Sequence, residues 1–285
     1  MKISVSSYSF LKHIKEGKMT AMEVVKYAHE LGFDAIEFAE VVGETYEEKA
    51  ENAKFFRAQA DKYGIDVAAL AVSGNLYQET KEESDAEIER LRGQLELARI
   101  LGAPVMRHDI VWQLKREGTM RSFDLMLPVI AGNVRRVTEI ASEMGIKTCT
   151  ENHGYISQDS DRIERLIAAV NHDNFGALVD MGNFSCADDD NALAVSRLAN
   201  LAFHVHAKDF HKRSFEEGPA EGYFQTRACN YLKGCTIGDG DVPVAQCIAI
   251  LKRAGYDGYI TVEYEGYEDC LEGIKRGREY IAKHI

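Results

Sequence analysis

The sequence is short of the features that mark several protein classes. Its 285 residues hold four prolines and one tryptophan, and no stretch rich in Pro, Gly or Ser divides them. One globular unit is therefore expected over residues 1–285, since barrels commonly exceed 200 residues as single domains. The six cysteines (Cys149, Cys186, Cys229, Cys235, Cys247 and Cys270) include no C-x-x-C pair, and most lie among apolar neighbours. A core this large needs no staple of disulfide or zinc. No apolar run reaches the ~18 residues of a spanning helix, and Met1-Lys2-Ile3-Ser4-Val5-Ser6-Ser7 turns polar too early for a signal peptide. A reducing cytoplasm is the expected location. Positive charge is scarce as well: 34 Lys and Arg face 46 Asp and Glu, a net charge of −12. That balance excludes an unassisted nucleic-acid binder and disfavours an anionic membrane surface.

What recurs instead is a short apolar run, a loop, then an amphipathic stretch ending in Gly or Asn. Strands are expected at Ile3–Tyr8, Ala35–Ala39, Ile65–Val72, Pro104–His108, Ile146–Asn152, Phe175–Met181, Leu201–Ala207 and Gly258–Glu263. Thr20/Glu23, Thr45/Glu48 and Ser84/Glu87 have the spacing of capping boxes at helix starts. Gly32, Gly64, Gly102, Gly145 and Gly255, with Asn171 and Asn200, follow helical patterns and precede strands. These are the residue types that a left-handed helix terminus favours. Seven such marks imply eight β-α units, and hence an α/β fold of the (β/α)₈ TIM-barrel type. The rival, an open doubly wound sheet, lacks its G-x-G-x-x-G fingerprint after the first strand. Only Asp209–Asp241 breaks the rhythm; a connection that long is expected to be a lid or an oligomer contact.

In such a barrel the strand C-terminal ends form the chemical face, and inward positions alternate. Along the seventh strand, Phe203 and Val205 suit the helix side, which turns His204, His206 and Lys208 inward. Cys149, Glu151 and His153 share one face, Asp180 follows Gly176 and Leu178, and Glu263 opposes Ile260 and Val262. Glu151, Asp180, His206 and Glu263 are thus delivered to one end of the barrel. Three crowded carboxylates repel unless a proton or a cation sits among them. A salt-bridged polar plug is one solution. A divalent metal is the other, and three oxygens with one imidazole suit Mn²⁺, Mg²⁺, Co²⁺ or Zn²⁺.

Of Arg107 and His108, only one can face inward, and His108 is preferred because Met106 shares its face. Glu37 ends an inward row, as a pocket carboxylate or a partner for Lys208 or Arg107. Asn183, three residues past Asp180, is a candidate substrate contact, and His204 lies one layer deeper. The two carboxylates of Gly238-Asp239-Gly240-Asp241 would repel a phosphate, which favours an unphosphorylated substrate unless Arg213 and Arg227 reverse the balance.

The segments Glu151-Asn152-His153-Gly154, Asp180-Met181-Gly182-Asn183, His204-Val205-His206-Ala207-Lys208-Asp209 and Val262-Glu263 together resemble the sugar phosphate isomerase/epimerase family, the xylose isomerase-like barrels. Gly238–Pro243 and Gly255–Ile260 resemble segments of the same family. The resemblance implies that Glu151, Asp180, His206 and Glu263 bind one divalent metal. It implies that Glu151 and Glu263 double as the acid/base pair, that His153 and Lys208 lie near the substrate, and that the chain forms a homo-oligomer. The expected chemistry is isomerisation or epimerisation of a small sugar or polyol by proton abstraction next to a carbonyl, through a metal-stabilised enediolate. A rival on the same scaffold is a dehydratase or lyase of a keto-cyclitol, a dehydroshikimate-type acid or an oxidised glycoside. A non-catalytic sugar-binding barrel is a further one. A DNA-repair endonuclease would need a second metal-binding His after Asp180, where Asn183 stands, and a basic face.

Overall fold

Each expected strand forms within two residues of its predicted limits, and each pairs in parallel with its neighbour. In the computed structural model, which describes residues 1–111 and 122–285, the strands are β1 (Lys2–Ser6), β2 (Ala35–Ala39), β3 (Asp66–Val72), β4 (Val105–His108), β5 (Lys147–Glu151), β6 (Phe175–Asp180), β7 (Ala202–Ala207), β8 (Asp209–Arg213), β9 (Phe224–Gln225), β10 (Tyr231–Cys235) and β11 (Tyr259–Val262). Strands β1 to β7 pair in order, β11 joins β7, and β11 closes onto β1 with Ile3 opposite Ile260. The helices are α1 (Leu11–Lys15), α2 (Val24–Glu30), α3 (Tyr46–Tyr63), α4 (Lys81–Leu101), α5 (Phe123–Glu143), α6 (Ser160–Val170), α7 (Asn191–Leu198), α8 (Val244–Arg253) and α9 (Cys270–Ala282). The closed (β/α)₈ barrel is the TIM-barrel fold.

The barrel has two cores of different character. Outward side chains such as Val5, Ile36, Phe38, Leu70, Met106, Val179, Val205 and Ile260 pack against the helices in one large apolar cluster. Inward positions are small or polar. The register runs Ser4 to Thr261, Thr261 to His206, His206 to Asp180 and Arg107 to Cys149, and residues paired across parallel strands share a face. At the N-terminal end Ala69, Val105, Cys149 and Leu178 form a small interior plug. Phe203 packs against that plug instead of facing the helices with Val205. The register shifts between Ala177 and Leu178, leaving Phe203 as an extra residue on β7, and such a bulge re-aims a side chain. Gly176 makes room for it, since a Cβ there would lie 2.8 Å from the Phe203 ring.

The helix ends follow the expected marks with three corrections. Gly64 and Gly102 close α3 and α4 with φ of 67° and 71°, and Asn171 closes α6 at 46°. Asn200 does not adopt this conformation; it sits inside a short 3₁₀ turn, Ala199–Leu201. Ser84 and Glu87 lie within α4, whose start is capped by the reciprocal pair Thr80 and Glu83. Thr45 accepts the Glu48 N–H, but the Glu48 carboxylate turns to Glu44 N.

The long connection after β7 is ordered. Strands β8, β10 and β9 form an antiparallel sheet in that order. The Asp209 carboxylate gathers the backbone N–H groups of Phe210, Gly238, Gly240 and Val242 at 2.8–3.1 Å. The glycine-rich stretch therefore wraps a carboxylate of its own chain, not a phosphate. Arg213 donates to the Gly218 and Glu217 carbonyls, and Arg227 to Asp159 and Tyr155.

Candidate metal centre

Glu151 ends β5, Asp180 ends β6, His206 lies near the end of β7, and Glu263 follows β11. One ligand-capable atom from each falls within 4.8 Å of the others. Glu151, Asp180 and His206 are buried, and the Glu263 side chain is 12% exposed. The strand-end alternation that suggested this quartet is therefore realised in space.

The surroundings fix each member differently. Glu151 takes the Arg107 guanidinium at 2.8 Å on one oxygen and the Asn183 amide at 2.8 Å on the other. Asp180 Oδ1 accepts the N–H groups of Gly182 and Asn183 at 2.7 and 3.0 Å. Lys208 Nζ lies 2.6 Å from Glu263 Oε2, 3.3 Å from Asp180 Oδ2 and 3.4 Å from Glu265 Oε1. His206 Nε2 is 2.7 Å from Glu37 Oε2, while its Nδ1 faces Glu263 at 3.4 Å and Glu151 and Asp180 at 3.9 Å.

The electrostatics are those of an acidic pit neutralised by three cations, Arg107, His206 and Lys208. Burial pushes the Asp180 carboxyl up to about 7; Lys208 opposes the shift, and Glu151 and Glu263 add to it. Burial works the same way on Glu263, yet the Lys208 and His206 charges outweigh it and hold this carboxyl well below the usual range. His206 and Lys208 are held well above their usual values by the carboxylates around them, against the cost of burial. Asp180 Oδ2 and His206 Nδ1 are buried and make no hydrogen bond. Buried polar atoms are nearly always partnered; Asp180 Oδ2 meets only the Lys208 ammonium, at 3.3 Å, and His206 Nδ1 faces the three carboxylates at 3.4–3.9 Å, an arrangement that fits a cation site. Three oxygens and one imidazole nitrogen suit a divalent ion.

The remaining expected residues divide. Asn183 and Lys208 are in the site, joined at 3.2 Å, and Lys208 pairs with Asp180 and Glu263. His153 stands at the rim, 35% exposed, with Nδ1 3.1 Å from Asp109. His108 requires correction. It faces the helices, stacked on Phe175 at 6.1 Å with Nδ1 3.0 Å from the Asp109 carbonyl, and Arg107 occupies the inward position. Glu37 meets neither Lys208 nor Arg107 by hydrogen bond; it lies between His204 and His206. Arg107, Asp109 and Glu265 were not expected in the site. Glu265 continues the alternation of Glu263 by one step, a signal present in the sequence. Above the quartet a cleft of about 340 Å³ opens, lined by His153, Asn183, Lys208, Glu265, Phe210 and Phe224. The last two belong to β8 and β9, so the small antiparallel sheet walls the site.

A family model described as xylose isomerase-like TIM barrel matches residues 25–284. The chain belongs to that family. Among curated proteins it is 27% identical over 247 residues to the rhizopine catabolism protein MocC of Rhizobium meliloti, covering 78% of this chain and 71% of the relative. It is 25% identical over 156 residues to an inosose dehydratase of Clostridium perfringens, about half of each chain (53% and 52%). A solved structure of D-psicose 3-epimerase with D-tagatose from Clostridium cellulolyticum H10 superposes with a TM-score of 0.75 at 14% identity, over 100% of this chain and 99% of that one. The structure of an IOLI protein with a bound zinc atom gives 0.74 at 17% identity over 100% and 99%. At these identities the structural likeness establishes the fold alone. Among the described residues no helix is long and apolar enough to cross a membrane.

Proposed function

We propose that this chain is a divalent-metal-dependent isomerase or epimerase of a small sugar- or polyol-like ketone, acting by proton abstraction next to the carbonyl. The observation that carries this reading is the quartet Glu151, Asp180, His206 and Glu263, gathered within 4.8 Å with two buried atoms lacking hydrogen bonds. A divalent ion held there would polarise the substrate carbonyl and stabilise the negative charge that develops on it. Glu151 and Glu263 come from strands on different sides of the pit and act as the acid/base pair. Lys208, Asn183 and His153 border the cleft and bind substrate hydroxyls. Glu265, 3.4 Å from Lys208, gives the ammonium an alternative partner when a substrate approaches Glu263. The chain works as a cytoplasmic homo-oligomer in this reading, and its six cysteines are free.

One observation favours a second reading, dehydration. Epimerisation needs a base on one face of the carbon and an acid on the other. Glu151 has one oxygen on a guanidinium and the other on an amide, which leaves neither free to meet a substrate carbon. Elimination needs one base, Glu263, and a group that stabilises the departing hydroxyl, for which the Lys208 ammonium is placed as a hydrogen-bond donor. The sequence likeness to inosose dehydratase points the same way.

The experiment is incubation with ketoses, inososes and keto-acids in D₂O, with Mn²⁺, Co²⁺, Mg²⁺ or Zn²⁺ added. Deuterium next to the carbonyl in a product isomeric with its substrate supports the first reading. A product lighter by one water supports the second. Absence of both exchange and dehydrated product with every metal and substrate class would sink both.

A further inference from the structure

Glu37 lies in the middle of β2 with its side chain fully buried, and one of its oxygens serves two imidazoles. Oε2 lies 2.7 Å from His206 Nε2 and 3.0 Å from His204 Nε2, while Oε1 makes no hydrogen bond. His204 Nε2 is also 2.8 Å from Thr261 Oγ1, which meets Ser4 Oγ at 2.5 Å. A polar chain from β1, β11, β7 and β2 thus crosses the barrel beneath the metal centre. A buried carboxylate is costly unless its charge is matched, and no role in packing calls for one here.

The Glu37, His204 and His206 atoms could be read as a second ion site. Their separations of 2.7 and 3.0 Å are hydrogen-bond distances, which leave no room for an ion among them. What the contact does is select a face of His206. A carboxylate accepts and cannot donate, so Nε2 must carry the proton. The ring then presents only Nδ1 to Glu151, Asp180 and Glu263.

We propose that Glu37 is the positioning residue of the metal centre: it holds His206 in the tautomer and ring rotation that aim Nδ1 at the three carboxylates. This rests on the metal-dependent reading. A carboxylate behind a ligand histidine also makes the ligand nitrogen more basic, and losing such a partner typically weakens metal binding about 10–100-fold.

The test is calorimetric titration of Mn²⁺ and of Zn²⁺ into the whole chain, comparing wild type, Glu37→Gln and Thr261→Val. Thr261→Val breaks the same buried chain at its links to His204 and Ser4 and leaves the Glu37–His206 contact in place. Glu37→Gln is expected to bind both ions about 10–100-fold more weakly, and Thr261→Val within threefold of wild type. Selective ¹⁵N-histidine spectra of the zinc-loaded proteins should show a His206 Nε2–H whose downfield shift and exchange protection are reduced in Glu37→Gln, where a neutral amide oxygen replaces the charged acceptor. Equal affinity in wild type and Glu37→Gln overturns the proposal, as does an equal loss in both variants, which would mark a merely structural chain. If Glu37→Gln does not fold, Glu37→Asp keeps the charge but withdraws it from His206, and the same loss of affinity is expected. A wild type that binds neither ion defeats the metal reading itself, an outcome distinct from the others.

Discussion

Lys208 and Glu263 form the shortest ion pair in the site, Nζ to Oε2 at 2.6 Å, and the same ammonium lies 3.3 Å from Asp180. Two of the four candidate ligands therefore already hold a cation supplied by the chain. A divalent ion entering the quartet meets this charge at close range and has to displace it towards Glu265 and Asn183. Replacing Lys208 by Met removes the repulsion, and the affinity for Mn²⁺ should rise at least about tenfold, or ~1.4 kcal/mol, a modest share of what Coulomb's law allows at such distances. Titration calorimetry reads it directly. Weaker binding in Lys208→Met would mean that the lysine organises the carboxylates and does not compete for them.

Glu151 and Glu263 are expected to be indispensable, in different ways. Positioned acid/base groups are worth about 10²–10⁴-fold, so Glu263→Gln and Glu151→Gln should each reduce turnover by that order. Under the dehydration reading, Glu263→Gln also abolishes solvent exchange at the substrate carbon, whereas Glu151→Gln leaves a measurable residue of it. Deuterium incorporation in single-turnover mixtures separates the two. Turnover within tenfold of wild type in either variant removes that glutamate from the acid/base pair.

The barrel and the quartet were legible in the sequence for a physical reason. A left-handed helix terminus selects Gly or Asn, so Gly32, Gly64, Gly102, Gly145, Asn171 and Gly255, all at positive φ, announce the units one by one. Polar residues at strand ends stand out against aliphatic neighbours, which exposed Glu151, Asp180, His206 and Glu263. Where that contrast fails, the reading fails. Strand β4 is Val105-Met106-Arg107-His108, buried on both faces, so its alternation offers two polar candidates, and the Met106 criterion that favoured His108 chose the wrong face. Phe203 was misplaced because a bulge inserts one residue, and a one-residue slip reverses the face of a side chain. Glu37 was seen as inward, but its partner His206 lies 169 residues away, a pairing that no local pattern encodes.

His108 gives the metal-free protein a predictable weakness in acid. Burial lowers its imidazole from 6.5 to about 4, with the Asp109 carbonyl opposing the shift. The folded chain keeps this ring neutral where the unfolded chain protonates it. Its contribution is therefore complete above pH 6.5 and is lost as the pH falls towards 4, amounting to about 3 kcal/mol. Urea unfolding of wild type and His108→Gln across pH 4–7.5 isolates the effect. The advantage of wild type should shrink by about that amount on acidification, and a pH-independent difference would show that the ring titrates alike in both states.

Phe224 and Arg227 test what the segment 209–241 does. Phe224 lines the cleft and packs edge-on against Phe210, with ring centroids 5.8 Å apart. Arg227 ties the segment to the β5–α6 connection through Asp159 at 2.7 Å and the Tyr155 carbonyl, while the Tyr155 hydroxyl returns a hydrogen bond to the Gln225 carbonyl at 2.9 Å. A wall that encloses substrate contributes binding energy without touching the reacting carbon. Phe224→Ala should therefore raise KM about fivefold, on the order of 1 kcal/mol for a partly buried ring. It should leave kcat and Mn²⁺ affinity within about twofold. Arg227→Ala should act in the same direction by loosening the anchor behind Phe224. The measurement is steady-state kinetics on whichever substrate the deuterium screen identifies, alongside sedimentation of each variant. Unchanged KM together with a shift to smaller species would assign the segment to contact between copies of the chain, and a fall in kcat alone would place Phe224 in the chemistry itself.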